Sequence, residues 1–224
     1  PARSTPPPPS TRTLLLFLAM GVISCVIAAQ GVALIVAIIA GAAGRDTNAL
    51  LQSPGLLAGV TLVQYACMAV VAVALCRIAQ RLPSRGLALQ RPTPGQWIGG
   101  GVAGLATLGV AAGVGAFLLE LFPAWDIGSL ETLGEAFITG PIGPRIALAV
   151  VVALAAPIAE EIVFRGILWD VLERRFKPGT VFVLTSLIFA CWHLRPFHVL
   201  SLVPTSLLFG WLRLRTGSVL PSMV

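Results

Sequence analysis

Long apolar runs separated by short polar stretches dominate the chain. Thr13 to Gly44 carries no charged residue over 32 positions. A membrane-crossing helix needs about 20 apolar residues, whereas a signal-peptide core holds about 7–15. This first run therefore predicts a retained anchor. Runs at about 56–76 and 97–119 predict two more spans. A fourth begins near Ile146 and, read as one helix to about Leu172, has glutamates at its middle. A fifth covers about Gly179 to His193 and a sixth about Phe197 to Leu212, while a seventh begins near Gly217 and is cut off at Val224. The predicted fold is all-α, a polytopic transmembrane helical bundle of about seven spans, the last of them truncated.

Between the runs the punctuation is clear. Residues 1–13 are rich in Pro, Ser and Thr and predict a disordered tail. Residues 14–144 hold spans 1–3 and an outer loop, and residues 145–224 hold the polar core described below. The loop at 123–145, with Gly128, Gly134, Gly140, Pro141, Gly143 and Pro144, has room for a short surface helix.

Composition agrees with this pattern. The chain is 57% hydrophobic and 11% charged, against about 25% charged for a soluble domain. That excludes a typical soluble enzyme and a disordered chain. The net charge of +6 does not point to a nucleic-acid partner, because the cations lie between apolar runs. Arg3 and Arg12 precede span 1. Arg77, Arg81, Arg85 and Arg91 follow span 2, Arg174, Arg175 and Lys177 follow span 4, and Arg213 and Arg215 follow span 6. Arg45 with Asp46, the acidic Glu120, Asp126, Glu131 and Glu135, and Arg195 fall on the other side. Positive loops stay inside, so the N-terminus is expected to be cytoplasmic. All basic residues but Lys177 are Arg, a usage that suggests a GC-rich bacterial genome and the bacterial inner membrane. Cys25, Cys67, Cys76 and Cys191 lie in or beside apolar runs with no CxxC spacing. They read as small hydrophobes.

The chemistry concentrates in Glu160, Glu161 and Arg165, set in an otherwise apolar stretch from Ala153 to Trp169. One charge at a helix centre costs at least about 2.5–3.5 kcal/mol on insertion scales, so three within six positions need a reason. Glu161 and Arg165 stand at i and i+4 and can pair, which leaves Glu160 over, roughly 100° away round the helix. A leftover carboxyl in an apolar pocket suits general acid or base work. An ion pair beside a polar cavity explains the same residues structurally. His193 closes the fifth run, roughly 21 Å along it, at a depth that allows contact with Glu160. His198, after Pro196, reads as a loop residue. Pro157 is expected to kink span 4, and the glycines from Gly99 to Gly115 to let helices pack closely on span 3. The tryptophans mostly fall near span ends, as an interfacial belt.

Glu160-Glu161-x-x-x-Arg165 followed by Phe189-x-x-x-His193 resembles the CAAX protease and bacteriocin-processing family of intramembrane endopeptidases, which includes the type II CAAX prenyl endopeptidases. The resemblance covers about residues 145–224. It implies that Glu160 activates the attacking water and that His193 binds or polarises that water or the scissile carbonyl. It further implies that Glu161 with Arg165 holds the helix geometry, and that Phe189 packs beside the site. The family's third motif, His-x-x-x-Asn/Asp, is absent. Gly217-Ser-Val-Leu-Pro221 resembles its lead-in, so the motif is expected beyond Val224.

The implied partners are the lipid bilayer and a peptide or protein substrate. The cofactor stays open: Glu160 and His193 with a further His can hold zinc, as in a metalloprotease, and a glutamate-activated hydrolase needs no metal. Two other functions remain compatible with the residues. One is a membrane scaffold or immunity protein that lost the chemistry. The other is a proton-coupled transporter, although no internal repeat is visible. Oligomeric state is not legible.

Overall fold

Helices begin where the sequence supplies caps. In the computed structural model, which describes residues 9–79, 86–125 and 127–223, Ser10 caps α1 (Thr11–Ala42) by accepting from the Thr13 amide. Asp46 caps the short α2 (Thr47–Leu51). Ser53 caps α3 (Pro54–Ile78). Thr93 and Gln96 form a reciprocal capping box at the start of α4 (Pro94–Leu121). Then come α5 (Gly128–Ile138), α6 (Ile142–Glu173), α7 (Pro178–Trp192), α8 (Pro196–Thr216) and a 3-10 turn at Leu220–Met223. Proline opens α3, α4, α7 and α8, where its missing N–H costs nothing. The expectations for residues 1–8, Arg81, Arg85, Asp126 and Val224 lie outside the described residues.

Among the described residues there is no strand, and α1, α3, α4, α6 and α8 are long and apolar enough to cross a membrane. The 15-residue α7 is apolar but shorter. Most of the large apolar side chains on α1, α3 and α4 face outward, Leu105, Val70 and Ile27 among them, as lipid contact requires. The seventh expected span corrects to the 3-10 turn within the described residues. Gly217, at φ 70°, ends α8 in the left-handed region, and the chain folds inward.

The helices pack in a closed sequence of neighbours. α1 lies on α3, α3 on α6, α6 on α7, α7 on α8, and α8 on α4, which meets the terminal turn. Leu14, Leu18, Val22, Met68, Ala72, Val163, Ile167, Trp169 and Val181 form the main buried cluster around the second half of α6. A smaller cluster of Ala58, Ala136, Leu148 and Val151 seats α5 on α3 and α6. That helix occupies the expected outer loop.

Two local expectations change in the structure, and the proline of α6 sits between wide turns. Pro157 is taken up within α6 by a π-helical stretch at Val151–Ala155, and a second follows at Ile162–Leu168. Wide turns absorb a missing N–H without ending the helix. Trp169 is buried against α8, not part of an interfacial belt: its Nε1–H donates to Glu173 at 2.6 Å and Arg213 stacks on its ring. Of the span-3 glycines, Gly100 and Gly115 meet neighbours, while Gly99, Gly101, Gly109 and Gly113 face open space.

A Cβ at Gly100 would run into the Pro221 carbonyl oxygen. Gly100→Ala is therefore expected to lower stability by about 1–3 kcal/mol through overpacking, with Gly109→Ala on the same helix near neutral. Thermal unfolding in detergent compares the two; equal melting temperatures would dismiss the contact.

Candidate active site

Site residues come from five elements. The helical register of α6 sets Glu161 and Arg165 on one face, where both are buried, at 2% and 0% exposure. Arg165 Nη1 lies 2.8 Å from Glu161 Oε1. The other Glu161 oxygen, Oε2, accepts from the Ser222 hydroxyl at 2.5 Å. Arg165 Nη2 donates to the Ser206 carbonyl at 3.0 Å and to the Ser206 hydroxyl at 2.8 Å. Its guanidinium carbon lies 4.3 Å above the centre of the Phe189 ring. Arg165 thus ties α6 to α7 and α8 by its charge, its fork of donors and its flat face.

The pocket around that cation is built by serines and a glycine. Ser186 on α7 and Ser206 on α8 exchange hydrogen bonds, with Ser186 Oγ donating to the Ser206 carbonyl at 3.1 Å and Ser206 Oγ to the Ser186 carbonyl at 2.8 Å. Gly210 allows the approach, since a Cβ there would meet Ser186 Oγ at 2.6 Å and Phe182 at 2.9 Å. The π-helical turn tilts carbonyls away from the axis of α6, and Arg213 Nε donates to the Arg165 carbonyl at 3.0 Å.

Glu160 is placed differently. It is half-buried, and its Oε1 accepts from the Tyr65 hydroxyl of α3 at 2.6 Å. Its Oε2 has no hydrogen-bond partner among the described residues. The adjacent glutamates are thus sorted by what reaches them: Glu161 has both oxygens engaged, and Glu160 has one open.

His193 follows the last residue of α7. Its Nδ1 lies 3.1 Å from the Phe189 carbonyl, and its ring packs edge-on against Phe189 at 5.2 Å. A carbonyl only accepts, so Nδ1 carries a proton, and in the neutral form of the ring Nε2 is the lone pair. No hydrogen bond joins His193 to Glu160 among the described residues. The ring is held by its own helix and the carboxylate by α3. Phe189 links the two parts of the site, touching Arg165, His193 and Phe164. His198 packs edge-on against Phe197, away from these groups.

No three His, Cys, Asp or Glu side chains gather to hold a metal among the described residues. Glu161 is fully engaged, which leaves Glu160 and His193 as the donors. That pair alone does not make a zinc site.

Sequence reasoning missed Tyr65, Ser186, Ser206, Ser222 and Arg213. Tyr65 had a signal, as the single tyrosine of the chain and set mid-span. The serines had none, because a hydroxyl in an apolar helix usually bonds its own backbone, as Ser201 does to the Phe197 carbonyl.

No curated protein and no solved structure matches the chain. Residues 142–224 match a family model described as type II CAAX prenyl endopeptidase Rce1-like. Over those bounds, which hold α6, α7, α8, the terminal turn and every polar group of the site but Tyr65, the chain is similar to an Rce1-like domain.

Proposed function

We propose that this protein is an intramembrane endopeptidase that hydrolyses a peptide bond of membrane-associated or lipid-modified substrates with water activated by Glu160. The observation that carries this reading is the unequal engagement of the two glutamates. Glu161 is consumed by Arg165 and Ser222, while Oε2 of the half-buried Glu160 has no hydrogen-bond partner among the described residues. Hydrolysis needs a base for water and later a proton for the departing amine. Glu160 supplies both: Oε2 takes the water proton as the oxygen adds to the carbonyl carbon, and returns it to nitrogen as the C–N bond breaks. Neutral His193 accepts a hydrogen bond from the same water through Nε2, which orients its lone pair. Glu161 and Arg165 keep α6 in register with α7 and α8.

An apolar cavity of about 290 Å³ lies beside this constellation, walled by Leu18 and Val22 of α1, Phe164 and Leu168 of α6, and Ile188 and Trp192 of α7. Its wall residue Phe164 touches Phe189. A cavity of this lining favours a hydrocarbon group on the substrate.

The test is cleavage by full-length protein in liposomes of a farnesylated CAAX peptide, beside the same peptide without lipid. Faster cleavage of the lipidated peptide supports the reading, and failure to cleave either removes it.

The protein sits with its N-terminus in the cytoplasm, in a bacterial inner membrane, because its Arg clusters share one side. A reporter active only outside the cell should be active when fused after Arg45 and silent after Arg77. The reverse pattern would invert the topology.

A further inference from the structure

The phenol that reaches Glu160 lies on α3, outside residues 142–224. It belongs to the only tyrosine in the chain. Tyr65 follows Pro54 by 11 residues, roughly 16 Å along the helix, far deeper than the interfacial belt where tyrosines of membrane proteins collect. Of its polar neighbours in sequence, Thr61 and Gln64, neither is hydrogen-bonded to the hydroxyl among the described residues. Burying such a hydroxyl unpaired costs about 1–3 kcal/mol on mutational scales. Among the described residues its single hydrogen bond runs to Glu160 Oε1, at 2.6 Å. That is a short O–H···O hydrogen bond.

A free glutamate side chain rotates about three bonds, and its two oxygens exchange places. Holding one oxygen removes that freedom. From this geometry we infer that Tyr65 is a positioning residue for Glu160: it clamps Oε1 so that Oε2 alone meets the water, and the N-terminal spans thereby complete the site. The inference rests on Glu160 acting as the base. It makes α3 part of the reaction centre as well as a membrane anchor.

The test uses the full-length protein in liposomes with the farnesylated CAAX peptide. Tyr65→Phe is expected to lower kcat about 10–100-fold, the scale of a misoriented reacting group, with KM changed by less than about twofold. Fluorotyrosines placed at position 65 keep the packing and alter the strength of the hydrogen bond. The rate should follow their acidity, and a flat series in an active protein would leave Tyr65 a structural role and overturn the inference. A second readout needs no turnover. With ring-labelled tyrosine, the infrared C–O band of Tyr65 should shift when Glu160→Ala removes the acceptor. An unchanged band means that the phenol is not bonded to Glu160 and also overturns the inference. A shifted band in a wild-type protein that cleaves nothing overturns the base assignment instead, so the two failures are told apart.

Discussion

Glu160→Gln should reduce peptide cleavage by about 10²–10⁴-fold, the usual contribution of a positioned general base. The substitution isolates chemistry from packing. Glutamine has nearly the same volume, and its amide oxygen still accepts from the Tyr65 hydroxyl that holds the native carboxylate at 2.6 Å. The amide nitrogen, however, cannot take a proton from water. Turnover of the farnesylated peptide should therefore collapse while thermal unfolding stays close to wild type. Glu160→Asp keeps the proton acceptor and retracts it by one methylene, so a partial loss is expected. If Glu160→Gln retained turnover within tenfold of wild type, the base would have to be another group.

Arg165→Ala should act on the fold itself. Removing one partner of a buried ion pair costs about 3–5 kcal/mol, because the remaining charge stays buried without compensation. Here that charge is Glu161, 2% exposed. The same change empties the contacts to both Ser206 oxygens and uncovers the Phe189 ring. A large fall in melting temperature in nanodiscs is expected, with loss of cleavage as a consequence. Arg165→Lys keeps a charge, but a single ammonium cannot reproduce both the fork and the stacked plane. It should fall between the wild type and the alanine variant. Removing both charges, with Glu161→Gln and Arg165→Met together, should recover part of the stability lost in Arg165→Ala. A melting temperature for Arg165→Ala equal to wild type would show that the pair does not hold α6, α7 and α8 together.

These two residues mark how far the sequence could be read. Arg165 was legible as Glu161's partner because the i, i+4 spacing is local and the cost of three charges in lipid is general. Its further bonds to Ser206, and Ser206's bonds to Ser186, were not, because they depend on how close α7 and α8 approach at Gly210. The depth reading for Glu160 and His193 allowed a contact without specifying one. Helix rise fixes how deep a residue lies, but not which way it points or what else competes for it. Tyr65 competes for Glu160, and the Phe189 carbonyl for His193.

Contiguous residues were enough to tell that the chain is a helical membrane protein, roughly where its first six apolar helices run, and that charges gather at the middle of one of them. They sufficed because crossing length, capping and hydropathy are local properties. Helix packing alone settles that a serine closes off Glu161 and that a tyrosine holds one oxygen of Glu160. Those partners stand 61 and 95 residues from the glutamates they hold, and no local pattern specifies a contact made by packing one helix against another.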